Sequence, residues 1–382
     1  MKIQGTDLET LDLPADPPGD DDPCWCKSGE PFAACHKNRE AQKPESKWAI
    51  LGHVRKLLGA AYCSHPMASP QECKGKIVRA HTLQKSGSLS TICVNKHVYG
   101  PDKGGMPDAS GVFPFKPIGV NKASTFTGFC QRHDTELFRP LEVEPFTATK
   151  EQLFLLAYRA LSKEVYAKRF ALRMQPLLRK GDVGKEPLEQ VLLQNDLYLH
   201  EQLVRLSLRD LEASLKDYDD IYLAEDFDRM SAYLVFADPT LDFAVSGGMH
   251  PEFDFAGQVL QDLATPDRLE LLTYSALPLQ TGGVISFVWD SARGGSCVQL
   301  MKSLERLSKA DIPDALVRFT FEYFENTYAD PRWWEGLNVA KRGHLEQRFA
   351  TAASSQLNRR ASCLIDDGLR TARWKVIAHE WR

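Results

Sequence analysis

The sequence predicts an α+β protein with several domains: two small modules rich in cysteine and histidine, a helical hairpin, and an antiparallel sheet with helices. Three observations support this prediction. The chain has 382 residues, more than a single hydrophobic core normally accommodates. Seven of its nine cysteines lie before residue 131. Helical periodicity in residues 150–216 gives way, after residue 220, to short β-branched and aromatic runs separated by Gly and Pro.

The composition is that of an ordinary globular protein, with 43% hydrophobic and 26% charged residues. The net charge is −4, so a polyanion would have to be met by a local basic patch. No apolar run is long enough to span a bilayer, and the N-terminus is acidic where a secretory signal is basic and then apolar. We therefore expect a cytoplasmic protein that does not bind a membrane.

An acidic lead opens the chain and continues into a cysteine motif. Residues 1–22 contain seven acidic residues and three prolines with little periodic hydrophobicity, and we expect them to be disordered. In residues 23–40, two closely spaced ligand pairs can form one tetrahedral Zn²⁺ site when the residues between them fold back. The sequence therefore predicts a zinc module with four ligands: Cys24, Cys26, Cys35 and His36.

This motif, Cys24-Trp25-Cys26-Lys27-Ser28-Gly29-Glu30-Pro31-Phe32-Ala33-Ala34-Cys35-His36, resembles the SEC-C zinc motif. That family has Cys-x-Cys, a Ser-Gly turn, an aromatic residue and a final Cys-Cys or Cys-His. Lys27 stands where the family has glycine, a departure expected to affect the turn. A module of this size buries too little surface to fold alone, so the metal must supply on the order of 10 kcal/mol. The resemblance implies docking on a protein or ribosome partner.

A second group of ligands lies in residues 41–149. Cys63 and Cys73 precede an apolar run, residues 77–81, that is typical of a strand and ends in His81. Cys130 and His133 are separated by two residues, so they can bind one tetrahedral Zn²⁺ from a single turn. Cys63 and Cys73 would complete a Cys₃His shell, which predicts a second structural zinc site.

This pattern consists of an early cysteine pair, a strand that ends in histidine, and a late Cys-x-x-His turn followed by an acidic residue. It resembles the ββα-metal, or HNH, nuclease module built on a treble clef. The resemblance covers residues 63–138 and implies that His81 activates water and that Asp134 binds a catalytic Mg²⁺ or Mn²⁺. A neutral histidine can accept a proton from water, and a divalent ion stabilises charge on the phosphate. Two departures stand out: the first pair is Cys-x9-Cys instead of Cys-x2-Cys, and Asn121 is the nearest counterpart of the family's central Asn.

Two histidines in this module have alternative interpretations. His81 could instead be a fourth zinc ligand or a hydrogen-bonded core residue. His97 is a further catalytic candidate, although a structural histidine at the end of a strand fits its surroundings better. Residues 100–121 are rich in Gly and Pro, which predicts interrupted regular structure and a loop that could cover a site.

Residues 150–228 predict an antiparallel helical hairpin, with helices at 150–180 and 187–216. The first helix has eight basic residues against two acidic ones between positions 150 and 180. A surplus of this kind can bind phosphates, and the candidates are Lys163, Lys168, Arg169 and Arg173. The alternative is a solvated helix face that is paired with acids elsewhere.

Residues 229–382 predict an α+β domain that matches no family we can identify. Strands are expected at 232–237, 241–245, 269–274 and 284–289, with Gly-rich turns such as 246–248 between them. Helices are expected at 297–308, 312–327 and 340–358. Together these elements indicate an antiparallel sheet with helices on one face.

The sequence thus predicts a metal-dependent HNH-like nuclease that cleaves DNA or RNA, with a C-terminal half that regulates it or recognises its target. A role in bacterial defence against phage follows only by analogy with nuclease modules joined to sensor domains. The alternative is a non-catalytic docking protein whose zinc modules bind protein, ribosome or nucleic acid. Whether the protein is an enzyme stays open at this point.

Overall fold

The computed structural model describes residues 18–58, 61–101, 114–353 and 359–382, and all structural statements below concern these residues. Most of the predicted acidic lead, residues 1–17, lies outside them, as does part of the Gly/Pro-rich segment, residues 102–113. The chain forms two compact units: Met1–Ala61 with Ala167–Arg209, and Tyr62–Tyr166 with Asp210–Arg382. Within the described ranges, no helix has the length and apolar character needed to cross a membrane.

The helices and strands alternate in blocks along the chain. The helices are α1 (Phe32–Cys35), α2 (Lys47–Leu58), α3 (Ser90–Ile92), α4 (Gln131–Leu137), α5 (Arg139–Glu142), α6 (Lys150–Leu178), α7 (Pro187–Ala224), α8 (Gly295–Glu305), α9 (Ile312–Tyr323), α10 (Pro331–Gly336) and α11 (Val339–Ala353). The strands are β1 (Ile77–His81), β2 (His97–Pro101), β3 (Phe115–Gly119), β4 (Thr125–Cys130), β5 (Met230–Asp238), β6 (Phe243–Met249), β7 (Leu272–Pro278), β8 (Gly283–Asp290), β9 (Thr327–Ala329) and β10 (Lys375–Trp381).

The long helices α6 and α7 form the predicted antiparallel hairpin. Their hydrogen bonds show this, since residues later in α6 and its end bond to residues earlier in α7. In the larger unit, the Tyr158 hydroxyl donates to the Asp219 carboxylate at 2.6 Å. In the smaller unit, Gln194 Nε2 donates to the carbonyl of Arg179 at 2.8 Å. Each unit therefore contains its own length of both helices.

In the larger unit, strands β1 and β4 and helix α4 form a ββα arrangement. β1 and β4 form a two-stranded antiparallel sheet in which Ile77 pairs with Cys130 and His81 with Thr125. α4 begins immediately after β4. Residues 82–124 are inserted between the two paired strands, so the ββα arrangement is assembled from segments that are distant in the sequence.

The main sheet has eight strands in the order β10-β5-β8-β7-β6-β9-β2-β3, and every neighbouring pair is antiparallel. Alternate residues of the central strands, such as Tyr233, Tyr274 and Phe287, are fully buried in a core that also contains Leu300 of α8 and Phe319 of α9. The predicted antiparallel sheet with packed helices is thus confirmed. Unexpectedly, β2 and β3, which come from the inserted residues 82–124, extend this sheet at one edge.

Several predicted element bounds were wrong. Residues 246–248 are not a turn but part of β6, where Gly247 is required because a Cβ there would lie 2.8 Å from the Phe324 ring. The helix expected at 312–327 ends at Tyr323, and β9 follows it. β9, α10 and β10 were not predicted at all, since each is short or lacks a strong hydrophobic period.

Candidate metal centres and active site

The first cysteine cluster lies in the smaller unit and can hold one metal ion. One ligand atom from each of Cys24, Cys26, Cys35 and His36 lies within 4.8 Å of all the others. His36 Nδ1 is 3.1 Å from the sulfurs of both Cys24 and Cys35. Three thiols and an imidazole nitrogen at such separations suit tetrahedral Zn²⁺. The four ligands predicted from the motif therefore do converge.

Lys27 lies in the turn that carries Cys24 and Cys26, at the position where the SEC-C pattern has glycine. Lys27 adopts a left-handed backbone conformation with φ of 60°, and its amide donates to the Cys24 carbonyl at 3.0 Å. Gly29 also has a positive φ, 84°. A left-handed backbone at the non-glycine residue Lys27 costs roughly 1–2 kcal/mol.

The second cluster lies in the larger unit, where the end of β4 and the first turn of α4 supply two ligands. Cys130 caps α4 and accepts from the His133 amide at 3.5 Å, so both side chains face the same point. Cys63 and Cys73 approach His133 Nδ1 at 3.3 and 3.8 Å. Ligand atoms of all four residues lie within 4.8 Å of one another. This set too can hold one zinc ion.

His65 supports this cluster and was not identified from the sequence. Its ring stacks on that of His133 with centroids 3.9 Å apart and an interplanar angle of 7°. Its Nδ1 accepts from the Met67 amide at 3.2 Å. Burial and the neighbouring His133 and Arg132 lower the pKa of His65 to about 4, so the ring is neutral at physiological pH. A neutral ring can stack on a zinc ligand without adding charge beside the metal.

His81 is half-buried at the end of β1 and is not one of the four residues of the second cluster, so the alternative in which it completes that shell is wrong. Its Nε2 lies 3.1 Å from the Val120 carbonyl. Because a carbonyl can only accept, Nε2 must carry the hydrogen, and Nδ1 keeps its lone pair. Burial lowers the pKa of His81, and the bond to Val120 partly offsets this. Asn121, beside Val120, is exposed.

Asp134 lies on α4, and its Oδ1 is buried without a hydrogen-bond partner among the described residues. Burial raises the pKa of this carboxyl group, while Arg159 opposes the shift. His81 also lowers the pKa of Asp134, although less than Arg159 does. A buried ionisable oxygen without a partner among the described residues calls for an explanation, of which a water or a bound ion is one.

Two further charged residues surround Asp134, and sequence reasoning gave neither of them a role at the site. Arg159 of α6 is only 3% exposed and donates to Glu142 of α5 at 2.7 Å. Its guanidinium also lies 4.0 Å from the centre of the Phe138 ring. Glu142 and Arg159 both influence the pKa values of His81 and Asp134. Only the packing of α5 and α6 beside α4 brings them there.

His97 begins β2 and is exposed, with Nδ1 2.7 Å from the carbonyl of Asn95 in its own turn. It belongs to the eight-stranded sheet, whereas His81 and Asp134 belong to the ββα arrangement. The position agrees with the structural interpretation of this histidine. We therefore give it no part in the chemistry proposed below.

The four basic candidates for phosphate binding have different surroundings. Lys163 lies in the larger unit, is only 12% exposed and pairs with Glu164 at 3.0 Å, so we leave it out of the phosphate-binding set. Lys168, Arg169 and Arg173 lie in the smaller unit. Arg173 is exposed and the other two are half-buried.

Comparison of the chain with protein-family models, with curated proteins and with solved structures gives no match.

Proposed function

We propose that this protein is a metal-dependent nuclease of the HNH type, which cleaves phosphodiester bonds in DNA or RNA. The observation that carries the proposal is the β1–β4–α4 arrangement. It has a histidine at the end of the first strand, a zinc cluster at the strand–helix junction, and the buried, unpaired carboxylate oxygen of Asp134 on the helix.

In this proposal His81 is the general base. Its Nε2 hydrogen is directed to Val120, so the Nδ1 lone pair is the one that would take a proton from the attacking water. The lowered pKa keeps the imidazole neutral, and hence able to accept a proton, in mildly acidic solution. A general base of this kind typically accelerates a reaction by about 10²–10⁴-fold.

Asp134 would hold the catalytic cation. Carboxylate oxygens are the ligands that Mg²⁺ and Mn²⁺ prefer, and Oδ1 is an acceptor that the described residues leave without a partner. When bound, such a cation stabilises the negative charge that develops on the phosphate and the leaving oxygen. The two zinc sites would be structural, because four protein ligands leave no open position on the metal.

The test is cleavage of supercoiled plasmid and of single-stranded RNA by the purified, zinc-loaded chain with Mg²⁺ or Mn²⁺. We expect His81→Ala and Asp134→Asn to reduce cleavage about 100-fold or more. His97→Ala is the matched control, since this exposed histidine should be dispensable. Cleavage by none of the proteins, or equal cleavage by all of them, would contradict the proposal; equal cleavage would indicate a contaminating nuclease.

Lys168, Arg169 and Arg173, in the smaller unit, are proposed to contact the phosphate backbone of nucleic acid. Such contacts carry no sequence information but make affinity depend on salt. Replacing all three by glutamine should weaken binding to DNA and RNA of any sequence and flatten the plot of log affinity against log salt. An unchanged slope would show that these residues do not meet phosphates.

A docking function is the second candidate, and the exposed face of α2 favours it. Trp48 is 79% exposed, and its neighbours Ile50 and Leu51 are also exposed. A cluster of large apolar residues in water is a feature of interaction sites. If the nuclease test fails, co-sedimentation with ribosomes, compared between the wild type and Trp48→Ser, tests the ribosome as the docking partner.

A further inference from the structure

His36 of the first cluster contacts a carboxylate far away in the sequence. Its Nδ1 faces the cysteine sulfurs, and its Nε2 is 2.9 Å from Oδ2 of Asp182. Asp182 lies in the turn between α6 and α7 and is completely buried. Both residues belong to the smaller unit.

The Asp182 carboxylate accepts hydrogen bonds from several side chains, which hold it in place. Arg39 Nε donates to Oδ1 at 2.6 Å, and Gln194 Nε2 donates to Oδ2, the oxygen shared with His36, at 2.6 Å. A carboxylate with this set of partners can orient a ring because it cannot move away from it.

Other hydrogen bonds join the same two segments. Arg179, at the start of the turn, donates to the Cys26 carbonyl at 3.2 Å, and Arg39 donates to the Arg179 carbonyl at 3.1 Å. The Gly184 amide, at the end of the turn, donates to the Arg39 carbonyl at 3.0 Å. The backbone around the metal ligands is therefore bonded to the hairpin turn on both sides of Asp182.

An acceptor on Nε2 has a direct chemical effect on a metal ligand. It fixes the hydrogen of the imidazole on Nε2, leaves the Nδ1 lone pair for the metal, and makes that nitrogen more basic. Removal of such a partner typically lowers metal affinity about 10–100-fold.

We propose that Asp182 is a positioning residue of the first zinc site, and that the bound metal fastens residues 18–45 to the turn of the α6–α7 hairpin. The N-terminal module is then a fixed part of the smaller unit and not a flexible docking arm. The proposal rests on zinc occupancy of the first cluster and is independent of nuclease activity.

The experiment loads the full chain with ¹¹³Cd²⁺, so that each Cys₃His site gives its own NMR resonance, and follows each resonance during titration with a chelator. We expect Asp182→Asn to weaken the first site about 10–100-fold and to leave the second unchanged. Glu45→Gln is the matched control. It removes a negative charge from the same unit, but Glu45 pairs with Lys180 and not with a metal ligand.

A double-mutant cycle separates positioning from general destabilisation. In a His36→Cys background no ring links the metal to Asp182, so Asp182→Asn should no longer weaken the first site. An equal loss of affinity in both backgrounds, or no loss in either, would overturn the proposal.

The wild type offers a test that does not depend on any variant folding. Long-range ¹H–¹⁵N spectra of the metal-loaded protein should show His36 with its hydrogen on Nε2, in slow exchange with water. A hydrogen on Nδ1, or a rapidly exchanging one on Nε2, would contradict the proposed contact.

Discussion

Replacing Asp134 with asparagine should stabilise the protein while it abolishes cleavage. Asp134 Oδ1 is buried and has no partner among the described residues, and burial raises the pKa of this carboxyl group. Arg159, whose charge opposes this shift, is already bonded to Glu142. Asparagine has the same shape but no charge to desolvate, so the substitution removes a cost without leaving a cavity.

The magnitude follows from the unpaired oxygen. A buried acceptor without a partner costs about 1–3 kcal/mol, and asparagine recovers part of this, so we expect the free energy of unfolding to rise by about 1 kcal/mol in magnesium-free buffer. If Asp134 binds the cation, Mg²⁺ at ten times its Kd should stabilise the wild type by about 1.4 kcal/mol. The Asp134→Asn protein should show no such gain.

Urea denaturation of the zinc-loaded proteins at neutral pH, with and without Mg²⁺, measures both effects. Asp290→Asn is the matched control, because this buried carboxylate of the same unit binds Arg229 through both oxygens, at 2.9 and 2.6 Å. Loss of that pair should lower stability by about 1.5–3 kcal/mol at any Mg²⁺ concentration. A similar loss in Asp134→Asn would mean that Asp134 is structural, and an equal response of both variants to Mg²⁺ would refute its role as a ligand.

Three other outcomes are expected. Because burial disfavours the protonated ring of His81, the acid limb of the cleavage rate should lie below the ordinary histidine pKa of 6.5 in a pH–rate profile; a midpoint above it would contradict the assignment. Metal analysis should find two zinc ions per chain and one after Cys130→Ser; an unchanged content would exclude the second site. Asn326→Leu should lower the free energy of unfolding by about 1–3 kcal/mol in urea denaturation, because it removes a buried amide that donates to Thr82, Ser124 and the Ser246 carbonyl, and a loss under about 0.5 kcal/mol would contradict this.

The zinc ligands could be predicted from the sequence because their geometry is local. Cys24 and Cys26, and likewise Cys130 and His133, are held by single turns whose spacing is visible in the sequence. The convergence of Cys63 and Cys73 on His133 followed from the chemistry of the ion, which needs four ligands. The main strands were also predictable from local sequence, since apolar and β-branched runs are typical of strands in the centre of a buried sheet.

The surroundings of His81 and Asp134 were not predictable, because they arise from tertiary packing. Arg159 appeared in the sequence as one basic residue on a helix, and nothing local indicated that it would be buried beside Glu142. Asp182 appeared only as part of a turn, although it contacts His36 across 146 positions. Contacts over such separations leave no periodicity or spacing that a single sequence can reveal.

The insertion between β1 and β4 has a physical consequence for the proposed regulation of the site. The carbonyl that orients His81 belongs to Val120, which follows β3 of the large sheet. Thr82, the neighbour of His81, bonds to Ser124 at 2.7 Å, and both accept from the amide of Asn326, between α9 and β9.

A shift of Asn326 would therefore move Thr82 and Ser124, which it bonds beside His81, because these buried hydrogen bonds cannot be broken without a cost of about 1–3 kcal/mol each. Regulation by the C-terminal half would then need no hinge between a sensor and a catalytic domain. His81 and the sheet belong to the same compact unit, so a ligand that favours one arrangement of the sheet edge would also favour one orientation of the base.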